Sequence, residues 1–298
     1  MAFLFQPQPY LIKARPEVLS YTVQRLGYVR ISLAFASFMT DFETAINELD
    51  LRLFEKIPSQ STELDKRSLL GVQLAVRELT GEYNYLEIGS YLGGSIQPHL
   101  LDPKCRRIVS IDKRPLSQPD ERGFEFVYRN NSTARMMETL AKVSENREKI
   151  TTIDGDSKTI DPGEIADKIQ LCFIDGEHTD EAVFSDFKFC LRVLGDSGAI
   201  VFHDAQITYN GIAECIKYFE DEGVDFKAYV LPHIVFVVEI GDFPLHKNAA
   251  VAERLRDNHH SYLFALQNND HYRRFANRFP FGLMRRMMLK VTGGNVSE

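Results

Sequence analysis

Several features that would mark a specialised environment are missing from this 298-residue chain. No apolar run approaches the roughly 18 residues of a membrane span. The patch Phe3, Leu4, Phe5 is too short, and too soon followed by Gln and Pro, for the apolar stretch of a secretion signal. No transmembrane segment is therefore expected and the default location is cytoplasmic, where the N-x-S/T triplets at Asn130, Asn131 and Asn295 carry no meaning. The four cysteines, at 105, 172, 190 and 215, make no C-x-x-C pair and no regular spacing, which argues against a zinc cluster or a disulfide framework and for buried reduced thiols. Positive charge is not in excess: 35 Lys and Arg stand against 42 Asp and Glu, a formal net charge of -7, so no polyanion, and no nucleic acid, is expected as the main ligand.

What is present is ordinary globular material. With 44% hydrophobic, 26% charged and 11% aromatic residues, the chain is neither disordered, collagen-like nor a coiled coil, and its length allows one large domain with additions. From Arg15 to about Thr80, apolar residues recur at helical spacing, among them Leu26, Phe35, Phe42, Ile46, Leu70 and Val76. The stretch Ile57 to Thr62 interrupts them, with Pro58 as a stop and Ser61 or Thr62 as N-cap of the next helix. From Tyr83 to Ile240 short apolar runs take over: 85–88, 108–111, 150–153, 171–174, 199–202, 226–231 and 234–240. Runs separated by amphipathic stretches of 10 to 20 residues describe a parallel sheet with helices on both faces. The last two runs, separated only by Pro232 and His233, form an antiparallel hairpin, since a parallel crossover needs about a dozen residues. After Gly241 only helical pieces follow. Between His271 and Lys290 these carry Arg273, Arg274, Arg278, Arg285, Arg286 and Lys290 with no acidic residue, which reads as a solvated helix face, an anionic-substrate contact or a membrane-surface contact.

The first strand runs into Glu87-Ile88-Gly89-Ser90-Tyr91-Leu92-Gly93-Gly94-Ser95, where a helix is expected to begin and present its free N–H groups to a ligand. A phosphate-gripping P-loop needs Lys after the last glycine, and Ser95 stands there. The dinucleotide fingerprint fails too, because Gly89 is followed by Gly93 at a wider spacing. What remains, E-x-G-x-x-x-G, resembles class I S-adenosylmethionine-dependent methyltransferases, and an acidic residue before the turn suits a cationic ligand better than a pyrophosphate. The second strand ends at Asp112, where a carboxylate can accept both ribose hydroxyls of a nucleoside or merely cap the next helix. Asp154-Gly155-Asp156-Ser157 resembles the family's adenine-side loop, with Asp156 or Ser157 toward the base. The resemblance thus implies cofactor contacts at Glu87, Gly89, Ser90, Tyr91, Gly93, Ser95, Asp112, Lys113, Asp156, Ser157 and Asp175.

The order from Cys172 to Asp204 is a strand ending in Asp175-Gly176-Glu177-His178, a helix, a Gly turn at 194–198, and a strand ending in His203-Asp204. It resembles a subgroup of small-molecule O-methyltransferases that includes sugar, natural-product and magnesium-dependent enzymes. Neighbouring parallel strands end on one edge of a sheet and so bring Asp175, His203 and Asp204 together, a set able to hold Mg²⁺. His203 then Asp204 departs from the two oxygen ligands usual at that strand end, and His203 also reads as a hydrogen-bond partner. Asp175 in a metal-free enzyme would line the pocket. His178, one turn beyond it, is the candidate general base, with Asp175 as the second catalytic candidate.

The expected fold is α/β: a doubly wound, Rossmann-like seven-stranded sheet with a C-terminal antiparallel hairpin. It spans a methyltransferase domain at 81–241 between an N-terminal helical extension, 1–80, and a basic C-terminal one, 242–298. The flanks would cover the side of a small-molecule acceptor or form a homo-oligomer contact. A cofactor-binding regulatory protein and a nicotinamide-dependent oxidoreductase are the other readings, the second disfavoured by the glycine spacing.

Overall fold

In the computed structural model, residues 41–276, 278–284 and 287 are described. The helical spacing expected before residue 41, and Arg285, Arg286 and Lys290 of the basic segment, lie outside them. The compact unit begins at Ala45. Its strands are β1 (Tyr83–Ile88), β2 (Cys105–Asp112), β3 (Ser117–Asp120), β4 (Phe124–Val127), β5 (Ile150–Asp154), β6 (Ile169–Ile174), β7 (Leu194–Phe202), β8 (Phe226–Leu231) and β9 (Val235–Ile240). The main helices are α1 (Glu63–Thr80), α2 (Gln97–Leu101), α3 (Thr133–Leu140), α4 (Asp180–Val193), α5 (Tyr209–Glu222), α6 (Ala249–Arg256) and α7 (His259–Ala276).

Each of the seven apolar runs is a strand of one sheet, ordered β5-β2-β1-β6-β7-β9-β8. The first five strands are parallel, while β9 runs antiparallel to both β7 and β8, the latter as the short connection Pro232 to Ile234 requires. The period of two along each strand sorts side chains to two cores. Tyr85, Ile108, Phe173 and Val201 meet Val76 of α1, Leu100 of α2, Leu140 of α3 and Val251 of α6. Leu86, Ile111, Ile174 and Phe202 meet Phe187 of α4 and Cys215 and Phe219 of α5. All four cysteines are buried and free. Thr62 is the N-cap of α1, in a capping box with Asp65.

Two expectations need correcting. The connections are not uniformly helices of 10 to 20 residues: α2 has five residues, hemmed in by Pro98 and by Asp102 standing before Pro103, and between β5 and β6 there is only the 3-10 turn Pro162–Glu164. Leu194 to Gly198, expected as a turn, are counted within β7. The antiparallel pair β3–β4 was not legible, because Ser-Gln-Pro-Asp lacks strand-forming residues and Pro119 removes a ladder donor.

At the end of the sheet where β1 and β2 begin, Asp102 is fully buried and its Oδ2 accepts from Arg77 Nε, Gln73 Nε2 and the Tyr83 hydroxyl, each at 3.1 Å. Lys149 Nζ donates to the backbone carbonyls of His99, Asp102 and Cys105 at 2.8, 2.8 and 3.2 Å. This network ties α1 and α2 to the sheet. Asp102→Ala leaves the Arg77 guanidinium buried without that carboxylate and should cost about 3 to 5 kcal/mol of stability, read as a lowered urea midpoint with an unchanged m-value.

Candidate active site

The glycine turn is shaped by what presses on it. Gly89 has φ +96, and a Cβ there would lie 2.1 Å from the Asp175 carbonyl oxygen, so β1 and β6 pass too close for any side chain. Asp175 N–H donates to Ile88 O at 2.9 Å and so ties the end of β6 to β1, while Gly89 N–H donates to Ile111 O at 2.8 Å and ties the end of β1 to β2. Gly94 is approached by the Pro58 carbonyl, and Gln97, fully buried, donates from Nε2 to the carbonyls of Phe54, Ile57 and Gly94. The expected helix starts late: residues 91–96 are turns and α2 begins only at Gln97. Glu87, fully buried, accepts from the Tyr85 hydroxyl at 2.6 Å and from Ser95 Oγ at 2.7 Å. Burial, then the nearby Asp175 and Asp112 charges, overcome those hydrogen bonds and push its carboxyl up to about 7.

Asp112 is nearly buried at the end of β2. Its Oδ2 accepts from Tyr91 N–H at 2.9 Å and from Arg114 Nη1 at 3.3 Å, and its Oδ1 accepts from Arg114 N–H at 2.7 Å. Arg114, invisible as a site residue in the sequence, also donates to Tyr91 O at 2.7 Å and Asn131 Oδ1 at 3.1 Å. Ser90 Oγ accepts from Ser110 Oγ at 2.7 Å. Lys113 bridges Asp156 at 2.9 Å and Glu177 at 3.2 Å. Ser157 is buried and donates to Asp186, whose carboxyl burial pushes up to about 7.

Strand alternation puts Glu87, Asp112, Asp175 and His203 on the sheet face covered by α1, α2, α3 and α6. His203 Nδ1 lies 3.1 Å from Asp175 Oδ1 and 3.2 Å from Asp204 Oδ2. Its Nε2 is buried without a hydrogen-bond partner, 3.8 Å from Asp65 Oδ2. Burial opposes charge on this ring, but Asp175, Asp204 and Asp65 outweigh it and hold His203 well above the usual imidazole range. Asp204, though half-buried, is held well below the carboxylate range by His203 and His178. His178 stands between two carboxylates: Nδ1 is 3.3 Å from Asp120 Oδ2 and Nε2 is 3.1 Å from Asp204 Oδ2. Asp120, at the end of β3, is clamped by Arg122 at 2.8 and 2.9 Å.

The sequence grouped Asp175, His203 and Asp204 as metal ligands. Among the described residues, the three whose ligand atoms come within 4.8 Å of one another are Asp175, His178 and Asp204. His203 differs because its one nitrogen on that side is already shared by both carboxylates. His233, in the connection between β8 and β9, places Nδ1 3.1 Å from Asp65 Oδ2 and packs on Phe264.

These groups border a cleft of about 310 Å³ at the carboxyl ends of the parallel strands, where the strand order reverses. Gly89, Ser90, Tyr91, Ser95, Asp112, Asp175 and His178 line it; Glu87, Gly93, Lys113, Asp156 and Ser157 do not. The lining also takes in Pro58 to Ser61, Gln118, Tyr128 and Asn131, and among the described residues no Lys or Arg. Burial, with the Asp175 and Asp204 charges, pushes the Tyr128 hydroxyl up to about 12. None of these added residues was singled out as a site residue: Pro58 and Ser61 read only as a helix stop and an N-cap, and Asn131 as a triplet without meaning.

Residues 86–205 match the profile of a family described as methyltransferase domain, and they lie on the Rossmann-like sheet. A curated relative, the uncharacterized protein R132 of Acanthamoeba polyphaga mimivirus, is 25% identical over 125 residues, 42% of this chain. The chain spans about half of that relative's length, 52%. Solved structures that are similar include the Bacillus cereus O-methyltransferase in complex with SAH (14% identity, 68% of this chain and 90% of that one, TM-score 0.45). Another is TomG of Streptomyces achromogenes, involved in tomaymycin synthesis and solved with SAM (14%, 71% and 95%, TM-score 0.45). A third is the calicheamicin methyltransferase CalS11 (17%, 81% and 100%, TM-score 0.47).

Gly89→Ala should destabilise by about 4 kcal/mol or more, the extreme for one substitution, because backbone and not a movable side chain meets the new methyl; thermal unfolding checks it. For Glu87 the raised carboxyl means that its burial favours folding below about pH 4.5 and that this advantage is lost as pH rises to about 7. Glu87→Gln should therefore gain on the parent protein as pH rises from 5 to 7, by on the order of 3 kcal/mol at most, measured as unfolding free energy at each pH.

Proposed function

We propose that the chain is an S-adenosylmethionine-dependent O-methyltransferase that methylates a hydroxyl of a small molecule, a sugar or a natural product. The observation that carries the reading is the cleft itself: among the described residues two carboxylates, Asp112 and Asp175, and no lysine or arginine line it, a donor set that favours a cationic nucleoside over a pyrophosphate. When bound, S-adenosylmethionine supplies an electrophilic methyl on a sulfonium that leaves as a neutral thioether. The residues present fit it. Asp112 holds the Tyr91 turn and, with about four lone-pair sites on a carboxylate, keeps capacity for a ribose hydroxyl. Glu87, Ser95 and Gly89 set the shape of the wall beside it.

Because the leaving group is neutral, the protein's task is positioning and removal of the acceptor proton. His178 takes that proton at Nε2, oriented by Asp120 at Nδ1, with Arg122 fixing Asp120 in turn. One observation favours a second role for the same ring. In a neutral imidazole oriented this way, Nε2 and Asp204 Oδ2 are both acceptors, yet they lie 3.1 Å apart, an arrangement that a cation between them relieves. Asp175, His178 and Asp204 would hold such a divalent ion, which lowers the pKa of a bound hydroxyl. The two carboxylates suit Mg²⁺; the imidazole is a donor that transition ions take more readily. The segments 1–80 and 242–298 would then flank the acceptor side or join copies of the chain.

The test is methyl transfer from labelled S-adenosylmethionine across a panel of sugars, phenols and carboxylates. His178→Ala should lower kcat about 10²- to 10⁴-fold with cofactor affinity unchanged, and His178→Gln should be equally slow if the ring takes the proton. Loss of activity in chelator, restored by Mg²⁺ or Mn²⁺ alone, assigns the ring to the metal. Cofactor binding with no transfer to any acceptor would favour a regulatory protein.

A further inference from the structure

Thirteen large apolar side chains are exposed among the described residues, and eight of them fall between positions 262 and 287: Tyr262, Leu263 and Leu266 on α7, then Phe279, Phe281, Leu283, Met284 and Met287. Phe279 is 86% exposed and Met287 60%. The remaining five are scattered along the chain, so this is a local concentration of the kind that marks a contact surface. Beyond Asp270 and up to Lys290 the flanking charge is of one sign. From His271 to Lys290 the sequence carries six Arg or Lys and no Asp or Glu, in a chain whose net charge is -7. Arg278, at the start of the apolar series, is exposed.

We propose that this segment is a contact surface for a membrane whose headgroups are anionic, lying on the bilayer and not crossing it. Its apolar side chains would enter the boundary between headgroups and acyl chains while the arginines meet lipid phosphates. Among the described residues no helix is long and apolar enough to span a bilayer. A symmetric contact with a second copy is the poorer fit, because it would set one arginine-rich segment against another with no acid between them. The surface would bring the chain to a lipid interface whatever its acceptor is, and the proposal does not rest on the methyl-transfer reading.

The experiment is flotation of the full chain with vesicles of phosphatidylcholine alone or with about 30% phosphatidylglycerol, at about 0.1 M salt. The expected result is at least tenfold stronger partition to the anionic vesicles, most of it lost at about 0.5 M salt. Phe279→Ser with Phe281→Ser should weaken partition roughly tenfold or more, and Arg278→Gln about fivefold. S-adenosylmethionine binding by both variants, matched to the parent's own result, checks that they remain folded. Partition equal on neutral and anionic vesicles, no partition, or variants that bind lipid as the parent does each overturn the proposal. So does a dimer that the double Phe variant converts to monomer while vesicles go unbound. Should the double variant misfold, Arg278→Gln and the salt series decide alone.

Discussion

The backbones of β1 and β6 meet at Gly89 so closely that the Asp175 carbonyl oxygen occupies the place of a side chain. The contact does more than exclude alanine. It lets the chain leave β1 with φ +96 and turn across the ends of its neighbours, so that Tyr91 N–H reaches the Asp112 carboxylate on one side. On the other side Asp175 stands at the next strand end, within 3.1 Å of His203. Without a residue lacking Cβ at position 89, β1 and β6 would separate and the cleft between them would lose its shape.

Around that contact the electrostatics are arranged to hold negative charge with no lysine or arginine among the described residues of the lining. Burial pushes the Glu87 carboxyl up to about 7, Asp112 is satisfied by backbone N–H groups and Arg114, and Asp175 and Asp204 share His203. Arg114 and Arg122 therefore spend their charge on Asp112 and Asp120, behind the cleft wall, and not on a ligand. A site built this way suits a ligand that brings positive charge. It also leaves His178 with a carboxylate facing each ring nitrogen, and under the proposed function proton removal and cation binding would compete for its Nε2.

Most of the sheet was legible because its strands are short β-branched and aliphatic runs, and because a connection of Pro232 and His233 admits only an antiparallel pair. The convergence of Asp175, His203 and Asp204 followed from parallel strands ending on one edge. What could not be read is how side chains partition once there. Which imidazole faces the two carboxylates depends on the loop from Gly176 to Thr179 and on Asp120, brought in by the β3–β4 pair, whose sequence carries a proline and no strand signal. Arg114 was silent for the same reason: a left-handed residue, φ 53, folding back on Asp112 leaves no periodic trace. Asp156 and Ser157, expected against the cofactor, go to Lys113 and Asp186 here, since polar turn residues find partners that spacing does not reveal.

The central claim is that the cleft at the carboxyl ends of β1, β2 and β6 selects a cationic nucleoside. Calorimetry of the full chain with S-adenosylmethionine and, separately, NAD decides it most directly. The account predicts saturable binding of S-adenosylmethionine and none of NAD, with Asp112→Ala weakening the former by at least tenfold, about 1.4 kcal/mol. Binding of NAD as tight as that of S-adenosylmethionine, or no binding of S-adenosylmethionine, would contradict it.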